Sequence, residues 1–512
     1  MPVTSTKPHR SPEIIKIGHR IAEYREAKGL TQSDFSKLLG TSQSAVARME
    51  KGEQNLSTNM LVRIGEILDA EMITIPSDAL NFKIHGGRKL SGSVTTNTSK
   101  NSAVVMLCAA LLNRGTTVLK KMPRIEEVNR VIEVLESIGV DVKWKGNDVV
   151  ITPPRQLQMQ SMNTTAAMKT RSVLLLLGPL VHLLKEFTLP QPGGCKLGAR
   201  TVRPHLFALE NFGVSIVTHR GRYNVTARRL HAADVVLYEA GDTVTENALM
   251  AAAKTKGVTT IKFASANYQV QDLCVFLQAL GVRIEGIGTT TLRVWGKPTI
   301  NKRVTYQISE DPIESMLFIT AAAVTRSSIT IERCPIDFLE MELLKLEKMG
   351  FKYARSAPYK AANGHTELVD ITTHASKFVA LEEAIHAGPY PALNMDNLPF
   401  FVPIATQARG QTLIHDWTYE NRAIYYMELT KLNAELILAD PHRVYVNGPT
   451  RLRPAEIICP PALRPAAVIL ISMLAAEGTS ILRNVYSINR GYEDLYARLN
   501  RLGAKIEVLK DF

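Results

Sequence analysis

A unit of roughly 70 residues recurs six times between residue 81 and the C-terminus, and this repeat constrains the fold more than any other feature of the chain. Its mark is a helix end followed at once by a strand: SIGVDVKW, NFGVSIV, ALGVRIEG, KMGFKYA, KLNAELIL and RLGAKIEVL. The turn residues are Gly139, Gly213, Gly281, Gly350, Asn433 and Gly503. Glycine and asparagine are the residues that tolerate the left-handed backbone at a helix end. A second set of strands follows short turns, in GTTVLKKM, EFTLPQP, GVTTIKFA, SSITIERC, GQTLIHDW and GTSILRNV. Helices alternating with strands predict a mixed α/β (α+β) architecture. A solenoid is the rival reading of any repeat, but its units run to about 20–50 residues, whereas 70 is enough for a compact sub-fold.

The first 75 residues follow another pattern. Four short helical periods run through IIKIGHRIAEYREAKG, TQSDFSKLLG, SQSAVARMEKG and NMLVRIGEILDA. Gly29, Gly40 and Gly52 fall at helix ends, and Thr31, Ser42 and Ser57 at the next N-caps. This order resembles the helix-turn-helix of lambda-repressor-like (XRE-type) regulators, here over residues 10–72, with 73–80 as a linker. In such motifs the second helix reads base edges from its N-terminal end. The resemblance implies DNA contacts from Gln43, Ser44 and Arg48, with Gln32 on a phosphate. Ala45, Val46 and Met49 fit the inward face, with Phe35 and Leu38 packed beneath them. Double-stranded DNA would be the partner, bound by a homodimer. A helical protein-interaction domain is the alternative, since residues 1–80 balance ten basic against ten acidic side chains.

The net charge of +13 therefore lies almost wholly in the larger part, where it suits a small anionic substrate as well as nucleic acid. No apolar run is long enough to span a membrane and no secretory leader is evident, which predicts a cytoplasmic protein. Five scattered cysteines without a C-x-x-C pair argue against a disulfide framework and against zinc.

The repeat, together with local motifs, resembles the UDP-N-acetylglucosamine 1-carboxyvinyltransferases, a branch of the enolpyruvyl transferases that serves peptidoglycan synthesis. The resemblance implies two lobes, each an inside-out barrel of three βαβαββ units. One lobe would span 100–307, and the other would combine 81–99 with 308–512. Phosphoenolpyruvate and UDP-N-acetylglucosamine would bind between them, with no metal or organic cofactor. In TTNTSKNS, Lys100 would hold the phosphate of phosphoenolpyruvate and Asn101 the amino sugar. In LPQPGGCKLGARTV, glycines flank Cys195 and predict a loop able to close over a ligand. The resemblance makes this thiol the proton donor to the phosphoenolpyruvate methylene and the site alkylated by fosfomycin. The same loop separates the chain from the shikimate-pathway branch.

Arg200 and Arg171 match arginines facing the phosphate, for which a guanidinium fork is suited. In YPALNMDNLPF, Asp396 matches the base that takes the proton from the sugar 3-hydroxyl. Arg422, Arg464 and Arg490 match the remaining arginines, with Arg490 on phosphoenolpyruvate. Glu246 and Asn247 fit a structural capping position. The chain departs from the pattern where the nucleotide is usually held: Arg203 replaces an aspartate, Gly241, Asp242 and Thr243 replace Ser-Val-Gly, Ala462 replaces an aspartate and Pro312 an arginine. Two functions follow. One is an active transferase with an appended DNA-binding module. The other is a transcriptional regulator whose transferase body senses a ligand. Retention of Lys100, Cys195, Asp396 and Arg490 favours the first.

Overall fold

A computed structural model describes residues 18, 21–22, 24–26, 28–53, 56, 60, 63–64, 67–68 and 80–510, except 194–200, with the Lys510 side chain left out. Ser57, the linker up to residue 79, Cys195 and Arg200 lie outside the described residues. The chain divides into two compact units, Met1–Ala79 and Leu80–Phe512.

In the N-terminal unit, helices Gln32–Leu39 and Gln43–Glu50 are joined through Gly40, whose φ of 66° is left-handed. Thr31 caps the first helix, its hydroxyl accepting from the Asp34 amide while Asp34 accepts in return from the Thr31 amide. Ser42 caps the second by accepting from the Ala45 amide. Ala45, Val46 and Met49 are buried with Phe35, as their spacing predicts. Leu38 is not beneath them: it is 51% exposed, and Leu39 fills that place. Leu39 lies four residues from Phe35, one helical turn on and over the same face, while Leu38 falls to the side.

In the larger unit each repeat contributes one sheet, giving six sheets among the described residues. All six turn residues, Gly139, Gly213, Gly281, Gly350, Asn433 and Gly503, adopt positive φ between 68° and 97°. Two separate apolar cores result. One gathers residues from Ala103 to Ile308. The other joins Phe82, Ile84, Leu90 and Val94 to residues from Ile313 to Ile506. The strand Leu80–Gly86 sits between Gly478–Arg483 and Ile506–Lys510, both antiparallel to it, so the start of this unit is tied to its end. Tyr268 is the exception to the division, since its chain neighbours belong to the first core while its ring packs edge-on against Phe338 of the second, centroids 5.8 Å apart.

The sheets lie outside and the helices inside. Helices Lys100–Ala109, Asp242–Lys254, Pro312–Val324 and Leu463–Ala475 are buried on nearly every side. A helix apolar all round has no solvent face, and these sequences are rich in Ala, Val, Ile, Leu and Met. Several of their polar residues lie in the first turns. Those first turns supply Lys100, Asn101, Asp242, Ile313, Leu463 and Arg464 to one cleft.

Candidate active site

The cleft encloses about 570 Å³ and draws on both halves of the larger unit. Helix N-termini carry unpaired amides and the positive end of the helix dipole, so several converging on one space favour an anion there. Lys100, Arg171, Arg464 and Arg490 line the same space. Burial pulls the Lys100 ammonium below its ordinary value, with Glu127 acting against that fall.

Glu127 is a site residue that no motif announced. It is 8% exposed, accepts from the Thr170 hydroxyl and from Ser172 at 2.9 Å, and lies 3.8 Å from the Arg490 guanidinium. Burial would raise its carboxyl, but Lys100, the Thr170 hydroxyl and Arg490 outweigh burial and hold it below the carboxylate range. Because 363 residues separate Glu127 from Arg490, as the numbering shows, only the closure of one half upon the other brings them together. Arg171 opens the short helix Arg171–Leu176, and one of its guanidinium nitrogens donates to the Thr201 carbonyl at 3.1 Å.

Asp396 stands among arginines. Its Oδ2 accepts from Arg464 at 3.1 Å, Arg422 lies 3.8 Å from its Oδ1, and its amide donates to Asn394 Oδ1 at 2.8 Å. Burial pushes this carboxyl upward, but Arg464 and Arg422 outweigh it and keep it below the ordinary value. The two guanidiniums thus favour the charged form of Asp396. Arg464 is fixed in turn by the Tyr492 hydroxyl, to which it donates at 2.6 Å. Arg422, fully buried, forks onto Asp416 with bonds of 2.6 and 2.7 Å and lies over the Tyr419 ring at 4.2 Å. Its bond to Asp416 orients it, while its charge reaches Asp396. Asp416 is a second residue the sequence did not disclose. The dipeptide HD of IHDW reads only as the end of a strand.

Asn101 donates to the Tyr268 hydroxyl at 3.0 Å. Neither residue caps its helix, whose N-cap is Gly241 with no side-chain bond: Asn247 instead braces a neighbouring segment, its Oδ1 accepting from the Gly178 amide at 2.8 Å and its Nδ2 donating to the Leu174 carbonyl at 3.0 Å. Glu246 does otherwise. It lines the cleft, and burial together with the charge of Asp242 pushes its carboxyl up to about 8. Of the departures from the family pattern, Arg203 opens the helix Arg203–Glu210 with its side chain exposed, and Pro312 opens its helix with Asp311 as N-cap. Ala462 is an N-cap without a side-chain bond. Gly241 and Asp242 lie at the start of the helix Asp242–Lys254 and line the cleft with Thr243. No group of three or more His, Cys, Asp or Glu arranged to hold a metal ion occurs among the described residues.

In the N-terminal unit, Gln43, Ser44 and Arg48 are exposed along the second helix. Gln32 is half-buried, and its amide donates to Glu50 at 2.7 Å. Glu50 is itself buried and paired with Arg25 at 2.6 Å. The structure thus gives Gln32 an internal partner that its sequence position did not suggest.

A two-lobed chain of six α/β units with a cationic cleft at converging helix starts has the architecture of the enolpyruvyl transferases. The family model for EPSP synthase (3-phosphoshikimate 1-carboxyvinyltransferase) matches residues 84–499, and the chain belongs to that family. A helix-turn-helix model matches residues 21–73. The larger unit is 35% identical over 431 residues to the UDP-N-acetylglucosamine 1-carboxyvinyltransferase of Bradyrhizobium diazoefficiens, covering 84% of this chain and 98% of that one. To the protein of the same name from Treponema pallidum it is 32% identical over 428 residues, 83% and 98% of the two chains. Among solved structures, the enolpyruvyl transferase NikO from Streptomyces tendae superposes with a TM-score of 0.71 at 24% identity, over 84% of this chain and 99% of that one, a likeness of fold. No helix among the described residues is long and apolar enough to cross a membrane.

Proposed function

We propose that the chain transfers the enolpyruvyl group of phosphoenolpyruvate to the 3-hydroxyl of an amino-sugar nucleotide of the UDP-N-acetylglucosamine type, releasing phosphate. The observation that carries this reading is an ionised, arginine-flanked Asp396 in the same cleft as Lys100, Arg171 and Arg490. The cations would neutralise the phosphate and carboxylate of phosphoenolpyruvate, joined by Arg200. Asp396 would take the acceptor's hydroxyl proton as the oxygen attacks C2, and Cys195 would deliver a proton to C3. Loss of a C3 proton and of phosphate from the tetrahedral adduct then leaves the enol ether. Asn101 would meet the sugar, while Arg422 and Arg464 position Asp396.

The test is phosphate release from phosphoenolpyruvate with UDP-N-acetylglucosamine as acceptor. Acceptor-dependent release, reduced about a hundredfold or more by Cys195→Ser, is the expected result. If no phosphate appears while either ligand still raises the unfolding temperature, the body is a ligand sensor and the transfer reading falls.

The N-terminal unit would bind double-stranded DNA as a homodimer, its second helix in the major groove. The exposed side chains of Gln43, Ser44 and Arg48 support this reading. Alanine at Gln43 or Arg48 is expected to cost about 1–3 kcal/mol in operator affinity. Fluorescence anisotropy on a selected operator reads the loss, and variants that bind like the native chain would remove this helix from the interface.

A further inference from the structure

Two buried oxygens of cleft-lining residues have no partner, Glu246 Oε2 and Gln269 Oε1. Their residues are 1% and 4% exposed, and both line the cleft. The Gln269 amide donates to Glu246 Oε1 at 3.0 Å, which ties the two side chains together and leaves the other oxygen of each without a partner. A buried polar atom without a partner is costly, and a ligand that supplies the partner removes the cost.

The surroundings say which ligand. Asp242 opens the helix Asp242–Lys254, one oxygen accepting from Ser265 at 2.5 Å and the other from Asn267 at 3.0 Å. Asp242 thus places an acidic group in the first turn of that helix, where a ligand anion would otherwise be favoured. A side pocket of about 290 Å³ is lined by Asp242, Asp337 and Glu340 together with the packed rings of Phe338 and Tyr390. The cleft has a cationic end around Lys100, Arg464 and Arg490, and an acidic end around Asp242 and Glu246.

We propose that the acidic end is an amine subsite, in which Glu246 and Gln269 hold an unacylated amino group of the acceptor alcohol. An ammonium has only donors, so it can serve Glu246 Oε2 and Gln269 Oε1 at once. Its charge also favours the ionised form of Glu246, which burial otherwise disfavours. A hydroxyl at the same place meets one oxygen and brings no charge. The inference rests on the transfer reading for one point, that the amine-bearing molecule is the acceptor.

Calorimetric titration of the full chain, with inorganic phosphate present, compares UDP-glucosamine, UDP-N-acetylglucosamine and UDP-glucose. UDP-glucosamine is expected to bind about tenfold more tightly than UDP-glucose, the value of a charge-assisted hydrogen bond, and also more tightly than UDP-N-acetylglucosamine, whose amide is uncharged; equal binding of the acylated and unacylated sugars would overturn the ammonium. Glu246→Leu is expected to erase the difference, and the near-isosteric Glu246→Gln to reduce it, with cooperative thermal unfolding as the check on folding. Equal binding of UDP-glucosamine and UDP-glucose, or a preference that survives both Glu246→Leu and Gln269→Leu, would overturn the amine subsite. Phosphate release measured in parallel separates the two readings. A preference without release overturns transfer and leaves the subsite standing, whereas release without a preference does the reverse.

Discussion

Replacing Asp396 by alanine is expected to lower acceptor-dependent phosphate release by about a thousandfold, the middle of the range for loss of a positioned general base. The size of the effect follows from the surroundings of the carboxylate. Asp396 is held by Arg464 at 3.1 Å and by its own amide on Asn394, so its oxygens are fixed before substrate arrives. The arginines keep it ionised, and no other carboxylate described here combines that state with the same cationic end of the cleft except Glu127, which is committed to Thr170, Ser172 and Arg490. Asp396→Asn tests the chemistry apart from the geometry, because an amide keeps one acceptor oxygen for Arg464 but takes no proton at neutral pH. Steady-state kinetics with the acceptor varied should show the loss in kcat, with the phosphoenolpyruvate KM little changed. An asparagine variant as fast as the native chain would sink the assignment of the base.

The second large effect is on stability. Arg422→Met is expected to destabilise the larger unit by about 3–5 kcal/mol, the loss seen when one partner of a buried ion pair is removed. Asp416 is wholly buried, and its two oxygens take both branches of the Arg422 fork, with the Tyr426 hydroxyl adding a bond of 2.6 Å. Without the guanidinium, Tyr426 alone would compensate the side-chain charge. The double variant Arg422→Met, Asp416→Leu should recover most of the loss, since replacing both members with apolar groups leaves no stranded charge. Denaturant titration of the native, single and double variants gives the comparison. A single variant as stable as the native chain would show that the pair adds nothing to folding.

Much of this protein was legible in the order of its residues. Gly139, Gly213, Gly281, Gly350, Asn433 and Gly503 announced their turns because few other residues adopt positive φ without cost. Thr31 and Ser42 marked helix starts because capping is a matter of three or four consecutive residues. Lys100, Asp396 and Arg490 stood out through motifs local to each. Leu38 shows the limit even at short range, since either neighbour of a helical periodicity looks suitable until the exact rotation of the helix is fixed.

What only the tertiary structure decided is which distant groups share a charge environment. Glu127 answers Arg490, Asp416 holds Arg422, and Glu246 meets Gln269. A carboxylate in a sequence carries no sign of being buried or of what faces it, because burial and Coulomb partners arise from the packing of segments far apart along the chain. Glu246 is the clearest case. Its place beside Asn247 suggested a cap, but both lie inside the helix Asp242–Lys254, whose N-cap is Gly241, and Asn247 bonds the Gly178 amide of another segment. The rotation of one residue along the same helix turns Glu246 to the cleft instead, with its second oxygen buried and unpartnered.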